Sequence, residues 1–292
     1  MRKIIVKRMG SGKTREALFS IPDGARVLIV APVRIVESVY SDEIRKWGLS
    51  LNFKVANGCL SSRIGVLTDL TYTAVGISCD SLWRTPIKYA SFFNFLIVDE
   101  ITFFKTPTAK RSKAVYGIAE KFNDVIGLTG TVITNSELDL YGISRAVGYR
   151  LFCMRSFYAF RRAFFYPQAT INGVPVKWKL QSPIYRNKIL EEFNNIADID
   201  LTDIVGVESE EHIRYVGVSP EYKVFKKEHV IEAITGDIVA ETAVKLFIKL
   251  CQMTSGFIYD EERRPQYFTS EKLEELERII NENEGQNILV YT

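Results

Sequence analysis

A chain of 292 residues is long enough for about two domains, and 47% apolar against 25% charged residues is the balance of a core-forming globular protein, which excludes a disordered or fibrous one. A net charge of +3 is too small to imply polyanion binding by itself, so any nucleic-acid partner has to be argued from local clusters. Cys59, Cys79, Cys153 and Cys251 are scattered without a CxxC pair, and with only two histidines they indicate neither a zinc site nor a disulfide framework.

In chain order, the apolar run Ile4-Ile5-Val6 leads into Met9-Gly10-Ser11-Gly12-Lys13-Thr14 and then a helix-compatible segment beginning at Arg15. Gly10 and Gly12 can take positive φ and carry no Cβ, so backbone N–H groups can close around a β-phosphate. Lys13 then reaches the β/γ oxygens, and the Thr14 hydroxyl suits Mg²⁺. The strict form of this motif has a glycine where this chain has Lys7. MRKIIVKRMG is too short in apolar residues for a signal peptide, and the stretch near Phe92 to Val98 is too short to span a membrane, so a soluble protein of a reducing cytoplasm is expected.

Val27 to Val30, Val75 to Ser78, Phe95 to Val98 and Val125 to Leu128 are further buried-strand candidates, and Val33 to Trp47 reads as a helix with Val36, Val39/Tyr40, Ile44 and Trp47 on its apolar face. Unbroken apolar strands separated by helical segments predict an α/β fold, a parallel sheet covered on both faces. The clusters that end the runs (MGSGKT, APVR, SCDS, DEIT, TGT) then converge on one rim. Asp99, leaving a buried strand, can hold Mg²⁺, and Glu100 can orient and deprotonate a water.

With these residues the chain resembles superfamily 2 helicase-like ATPases of the Swi/Snf type, most closely compact bacteriophage-style members. The resemblance is carried by MGSGKT, VLIVAPVRIVESVYSDEIRKW, ISCDSL, LIVDEITFFKTPTAKRSKAV and LTGTVITN, and further on by KLCQMTSGFIYDE and KLEELERIINENEGQNILVY. It implies a RecA-like P-loop lobe and an ATP-dependent DNA translocase or helicase, cytoplasmic in a host cell if phage-encoded. Met9 to Arg15 would hold ATP, and Thr14 and Asp99 would hold Mg²⁺. Lys13, Asp99 and Glu100 would carry the chemistry. Arg34, Ser78, Ser81, Lys105, Lys110, Arg111 and Thr131 would touch the DNA backbone without reading sequence. Thr129, Gly130 and Thr131, with Gln252 as a lobe-linking residue, would couple the nucleotide to the DNA groove. The family's adenine-reading glutamine segment has no counterpart before Gly10, so ATP rests on the resemblance. A DNA-binding or remodelling module with a regulatory nucleotide site and little turnover stays open as the alternative. A small-molecule kinase would leave LTGTVITN and APVR without a task.

The expected organisation is a first lobe over residues 1–147, an accessory and mostly helical region over 148–268, and a linker helix with the first strand of a second RecA-like lobe over 269–292. In the accessory region Phe157, Phe160 and Phe164 share a helical face beside Arg161 and Arg162, read as core in preference to a base-stacking stripe. Asn172-Gly173 predicts a hairpin turn. Tyr185 to Ile199 and Glu221 to Gly256 read as helices, and Ile213 to Val218 as a strand. Because family members hydrolyse ATP between two lobes, with arginine fingers worth roughly 10³ to 10⁵ in rate, a chain lacking the second lobe is expected to bind nucleotide and turn it over poorly.

Overall fold

Each β-branched run forms a strand that a following helix returns to the same edge of the sheet, so all strands of the main sheet run parallel. The computed structural model describes residues 1–131, 136–171, 174–201, 212–233, 236–239, 242–260, 262–268, 270–286, 288 and 290. It divides into two units, Met1–Val207 and Glu208–Thr292.

In the first unit the order is β1 (Arg2–Lys7), α1 (Lys13–Phe19), β2 (Val27–Ala31), α2 (Tyr40–Lys46), β3 (Phe53–Val55), α3 (Leu60–Thr68), β4 (Ala74–Ser78), α4 (Cys79–Leu82), β5 (Phe95–Val98), α5 (Lys110–Ala119), β6 (Asp124–Thr129), α6 (Asp139–Ala146), α7 (Phe157–Phe164), β7 (Phe165–Ile171), β8 (Val174–Leu180), α8 (Pro183–Asn194) and β9 (Ala197–Asp200). Seven strands form one parallel sheet in the order β3-β4-β2-β5-β6-β1-β9. The RecA-like α/β expectation is therefore what the structure shows. Every residue of β2, β4 and β5 is buried, as a sheet covered on both faces requires. One apolar layer joins Ala17 and Leu18 of α1 to Tyr40 and Ile44 of α2. The other joins Leu67, Val115, Tyr141, Phe160 and Phe193.

The segment predicted as a helix over 185–199 stops at Asn194, and Ala197–Asp200 instead extends the sheet beside β1. Charge fixes that edge: Lys3 pairs with Asp198 at 2.7 Å, and Lys7 with Glu16 of α1 at 2.9 Å. The predicted aromatic helix is α7, and its Phe160 is fully buried against Tyr141, Phe164 and Phe165, with centroids 5.3, 5.2 and 6.0 Å away. Strands β7 and β8 pair antiparallel as the expected hairpin, although Asn172 and Gly173 themselves lie outside the described residues. Arg161 of α7 lies 3.9 Å over the half-buried Trp178 of β8.

The second unit carries α9 (Pro220–Glu228), β10 (Val230–Ala233), β11 (Gly236–Val239), α10 (Ala243–Met253), β12 (Phe257–Tyr259), β13 (Pro265–Tyr267) and α11 (Glu271–Glu282). The continuous helical reading from Glu221 to Gly256 fails here, because α9 ends at His229 with φ 62° and the β-branched pair Val230-Ile231 opens an antiparallel hairpin. Residues 213–218, predicted as a strand, have no regular structure, since no neighbouring strand among the described residues offers them a ladder. A helix is present where one was expected near the end of the chain, as α11, with no buried residue. Of the strand predicted after it, Asn287, Leu289 and Tyr291 lie outside the described residues. No helix among the described residues is long and apolar enough to cross a membrane.

Because Phe160 ties α7 and β7 to Tyr141 on α6, Phe160→Ala should lower the unfolding free energy of the first unit by about 3 to 5 kcal/mol, measured by urea denaturation. A loss well under 1 kcal/mol would show that this contact does not hold the segment down.

Candidate nucleotide site

The glycine turn between β1 and α1 needs its glycines for φ. Gly10 sits at φ 77° and Gly12 at φ 81°, and Gly12 is the N-cap of α1. A Cβ at Gly12 would meet nothing within 4 Å, so backbone angle and not crowding excludes other residues there. Lys7, standing where the strict motif has glycine, ends β1 in the strand, and its ammonium is held by Glu16 of α1, which raises its pKa. The turn is thus pinned to the helix it feeds. Lys13 folds back on its own loop, donating to the carbonyls of Lys7 (2.8 Å) and Arg8 (2.9 Å). Partial burial lowers its pKa, against the opposing pull of Asp99 and Glu100. The ammonium therefore lies within electrostatic reach of the acidic pair.

Asp99 follows the last residue of β5 and is only 7% exposed. Its Oδ2 accepts from the Tyr40 hydroxyl at 3.0 Å and its Oδ1 from the Glu100 N–H at 2.8 Å. Burial raises its pKa despite those two hydrogen bonds. A buried carboxylate so short of positive charge is a suitable ligand for a hard cation, and Thr14, whose hydroxyl has no hydrogen bond among the described residues, supplies a second oxygen at the start of α1. Glu100 adopts φ 49°, ψ 56°, a left-handed conformation that a non-glycine residue adopts only under constraint. There its Oε1 accepts from the Thr102 hydroxyl at 2.5 Å and lies 3.5 Å from Thr129 Oγ1. The Thr129 hydroxyl donates to the Thr131 carbonyl at 2.6 Å and accepts from the Thr131 N–H at 3.1 Å. Gly130 comes close to the Lys7 carbonyl and to Lys13 Nζ. The structure thus gathers the glycine turn, the acidic pair and the Thr129 turn at one rim. Val132 to Asn135 lie outside the described residues.

The other predicted site residues are placed as follows. Arg34 is exposed after β2, before a π-helical turn over Ile35–Val39. Ser78 is buried and caps α4, accepting the Ser81 N–H at 3.1 Å, so its hydroxyl is already engaged. Lys105 pairs with Asp139 at 3.9 Å. Lys110 lies over the Trp83 ring at 5.2 Å, and Arg111 over Phe103 at 5.9 Å. Gln252 is in the second unit, accepting the Tyr259 N–H at 3.3 Å.

Two features escaped the sequence reading. The spacing puts Tyr40 on the apolar face of its helix, as its burial bears out, but nothing in the pattern shows that its hydroxyl meets Asp99. The second is the far wall of the cleft beside the glycine turn. This space of about 480 Å³ is lined by Gly10 to Arg15 and, across from them, by Glu43, Lys46 and Trp47. The clue was Trp47 at the end of an amphipathic helix, where an indole is not fully buried.

No family model matches the chain. The ATPase core of the Sulfolobus solfataricus SWI2/SNF2 protein, solved in complex with dsDNA, superposes with a TM-score of 0.53 at 20% identity, over 68% of this chain and 40% of that one. The likeness is one of fold: the two share the parallel α/β architecture over that region. The UvsW helicase of bacteriophage T4 gives a TM-score of 0.36 at 16% identity, over 49% of this chain and 51% of its own. Protein p41 of Acyrthosiphon pisum secondary endosymbiont phage 1 is 28% identical over 97% of this chain and 66% of its own length. The chain thus spans a part of each of these proteins. In a parallel sheet of this kind the rim just described is where the carboxyl ends of the strands open outward.

Asp99 yields a prediction with a definite sign. Its pKa is raised on folding, so its ionisation costs stability once pH exceeds the ordinary carboxylate value, and the cost is complete above the folded value. Asp99→Asn should therefore raise Tm near pH 7, by about 2 to 4 °C per kcal/mol recovered, with the gain shrinking towards about pH 4. Calorimetry across that range checks it, and an equal gain at every pH would detach the effect from ionisation. Tyr40→Phe leaves the buried carboxylate with one partner fewer and should cost about 1 to 3 kcal/mol.

Proposed function

We propose that this chain is the ATP-binding part of an ATP-dependent DNA translocase or helicase, working inside the cell. The observation that carries the reading is the joint presence, at one sheet edge, of a glycine turn with its lysine, a buried carboxylate and a conformationally constrained glutamate linked to Thr129. A turn that only ended a strand would need none of the last three.

In this reading the N–H groups from Gly10 to Thr14 bind the phosphates, with the start of α1 contributing its dipole. Lys13 exchanges its two loop carbonyls for β/γ oxygens. Thr14 and Asp99 hold Mg²⁺, which supplies charge neutralisation on those oxygens. Glu100 accepts a hydrogen bond from the attacking water and takes its proton. Since Glu100 also approaches Thr129, a change at the γ-phosphate position is felt by the Thr129-Gly130-Thr131 turn.

DNA as the track is supported by the fold shared with a core solved on dsDNA and by exposed groups on the same rim. Arg34 and Lys110 are exposed, and Lys110 and Arg111 sit over aromatic rings. Backbone phosphate contacts from such groups hold a strand without reading it. The two relatives extend beyond the region matched here, and we assign full turnover to the complete protein, in which a second lobe would close over the nucleotide.

In the complete protein, Glu100→Gln should keep ATP affinity and lower DNA-stimulated hydrolysis by about 10² to 10⁴, read by phosphate release. Turnover that ignores DNA and RNA alike would defeat the motor reading. Nucleotide binding with no turnover on any nucleic acid would favour the regulatory module.

A further inference from the structure

The cleft beside the glycine turn extends past the residues that would hold phosphates, and its far wall carries the indole of Trp47 between the charged Glu43 and Lys46. Trp47 and Arg15 line the same space as Gly10 to Thr14. Arg15 directly follows Thr14, and its guanidinium lies 4.1 Å from the centroid of Trp47 and 5.5 Å from that of Phe19. Arg15 is exposed and, among the described residues, has neither a hydrogen bond nor an ion pair. Nothing but the rings holds it there. We propose that Trp47 and Arg15 form the stacking platform for the base of the bound nucleotide. This rests on the assignment of Gly10 to Thr14 to the triphosphate.

The indole is already oriented. Its Nε1 donates to Glu43 Oε2 at 2.7 Å, and its ring meets Phe19 edge-on, with centroids 6.4 Å apart at 74°. Arg15 rests on this ring and Lys46 Nζ lies 5.0 Å from its centroid, so the base inserts between the indole and the guanidinium, and a ring fixed in advance loses little freedom when it does. The guanidinium is equally suited to one face of a base, through stacking and cation–π attraction. Phe19, 56% exposed at the end of α1, backs the indole edge-on.

The platform also says what is not read. Glu43, the carboxylate nearest the indole, is engaged on one oxygen by Trp47 Nε1 and on the other by Lys46 at 3.8 Å. A hydrogen bond along Nε1–H sets this carboxylate at the edge of the indole and not over the face on which a base stacks. Stacking accepts any π face and favours the larger one, so the site takes purine nucleoside triphosphates above pyrimidine ones and separates ATP from GTP weakly.

The test is titration calorimetry of this chain with Mg²⁺ and ATP, GTP, UTP or inorganic tripolyphosphate. Trp47→Leu keeps an apolar contact for Phe19 but removes the ring. It should raise the Kd for ATP about tenfold or more and leave tripolyphosphate binding unchanged, while Trp47→Phe recovers most of the loss. ATP and GTP should differ by less than about fivefold, with UTP weaker than both. An ATP Kd in Trp47→Leu equal to that of the unaltered chain overturns the platform, as does equal weakening of ATP and tripolyphosphate. If in addition Lys13→Ala abolishes binding of both ligands, the phosphate site survives and only the base assignment falls. An unaltered chain that binds neither ATP nor tripolyphosphate overturns both.

Discussion

The carboxylate of Asp99 is buried at the end of β5 with two hydrogen bonds and, among the described residues, no salt bridge, and the rest of the site is arranged around that electrostatic debt. A charge in this position is unfavourable unless something positive arrives, and its raised pKa expresses the same deficit. The cations in reach are Lys13, itself lowered by burial and turned back onto the carbonyls of its own loop, and whatever enters from solvent. Lysine and aspartate are thus both held short of their best partners. A ligand carrying phosphate and a divalent cation satisfies the two at once, so binding energy can be drawn from this pair without large movement.

Glu100 shows a related constraint in the backbone. A left-handed glutamate costs about 1 to 3 kcal/mol and persists only where the surroundings fix it. Here the Thr102 hydroxyl holds the side chain and Asp99 holds its N–H, with Thr129 Oγ1 3.5 Å from the carboxylate. The conformation turns two consecutive carboxylates in different directions. In an extended strand their side chains would alternate across the sheet; the reversal after Asp99 lets one stay in the core and the other reach the adjacent strand end.

How much of this was legible depended on whether the signal was local. The strands β2, β4, β5 and β6 could be read because a fully buried strand is apolar at every position, and the glycine turn because positive φ demands glycine at Gly10 and Gly12. Strand β9 was hidden because Ala197-Asp198-Ile199-Asp200 is held by Lys3 and Lys7 from the opposite end of the chain, a pairing that periodicity does not encode. The hairpin of β10 and β11 was lost inside an apolar stretch of helical spacing for a similar reason, since its pairing partner and not its composition decides it. Tyr40 was placed correctly as core, yet its role depends on one hydroxyl meeting a carboxylate 59 positions away.

The helix after β2 ties these threads together. Val36, Tyr40 and Ile44 recur every four residues and are all buried on the sheet, so the hydroxyl of Tyr40 is delivered to Asp99 by the same face that packs the core. Glu43 and Trp47, also four apart and joined by a hydrogen bond, occupy the adjacent face towards α1, where the cleft lies. The chain enters this helix through a π-turn over Ile35–Val39, and one extra residue in that turn rotates everything after it relative to an unbroken α-helix. That rotation is what lets one helix present a polar group to the acidic pair and an aromatic one to the mouth of the cleft. π-turns of this kind are rare and tend to sit at functional positions. A deletion within 35–39 that restored regular α-geometry would swing both faces together, so Asp99 and the base platform would be disturbed by a single change that touches neither.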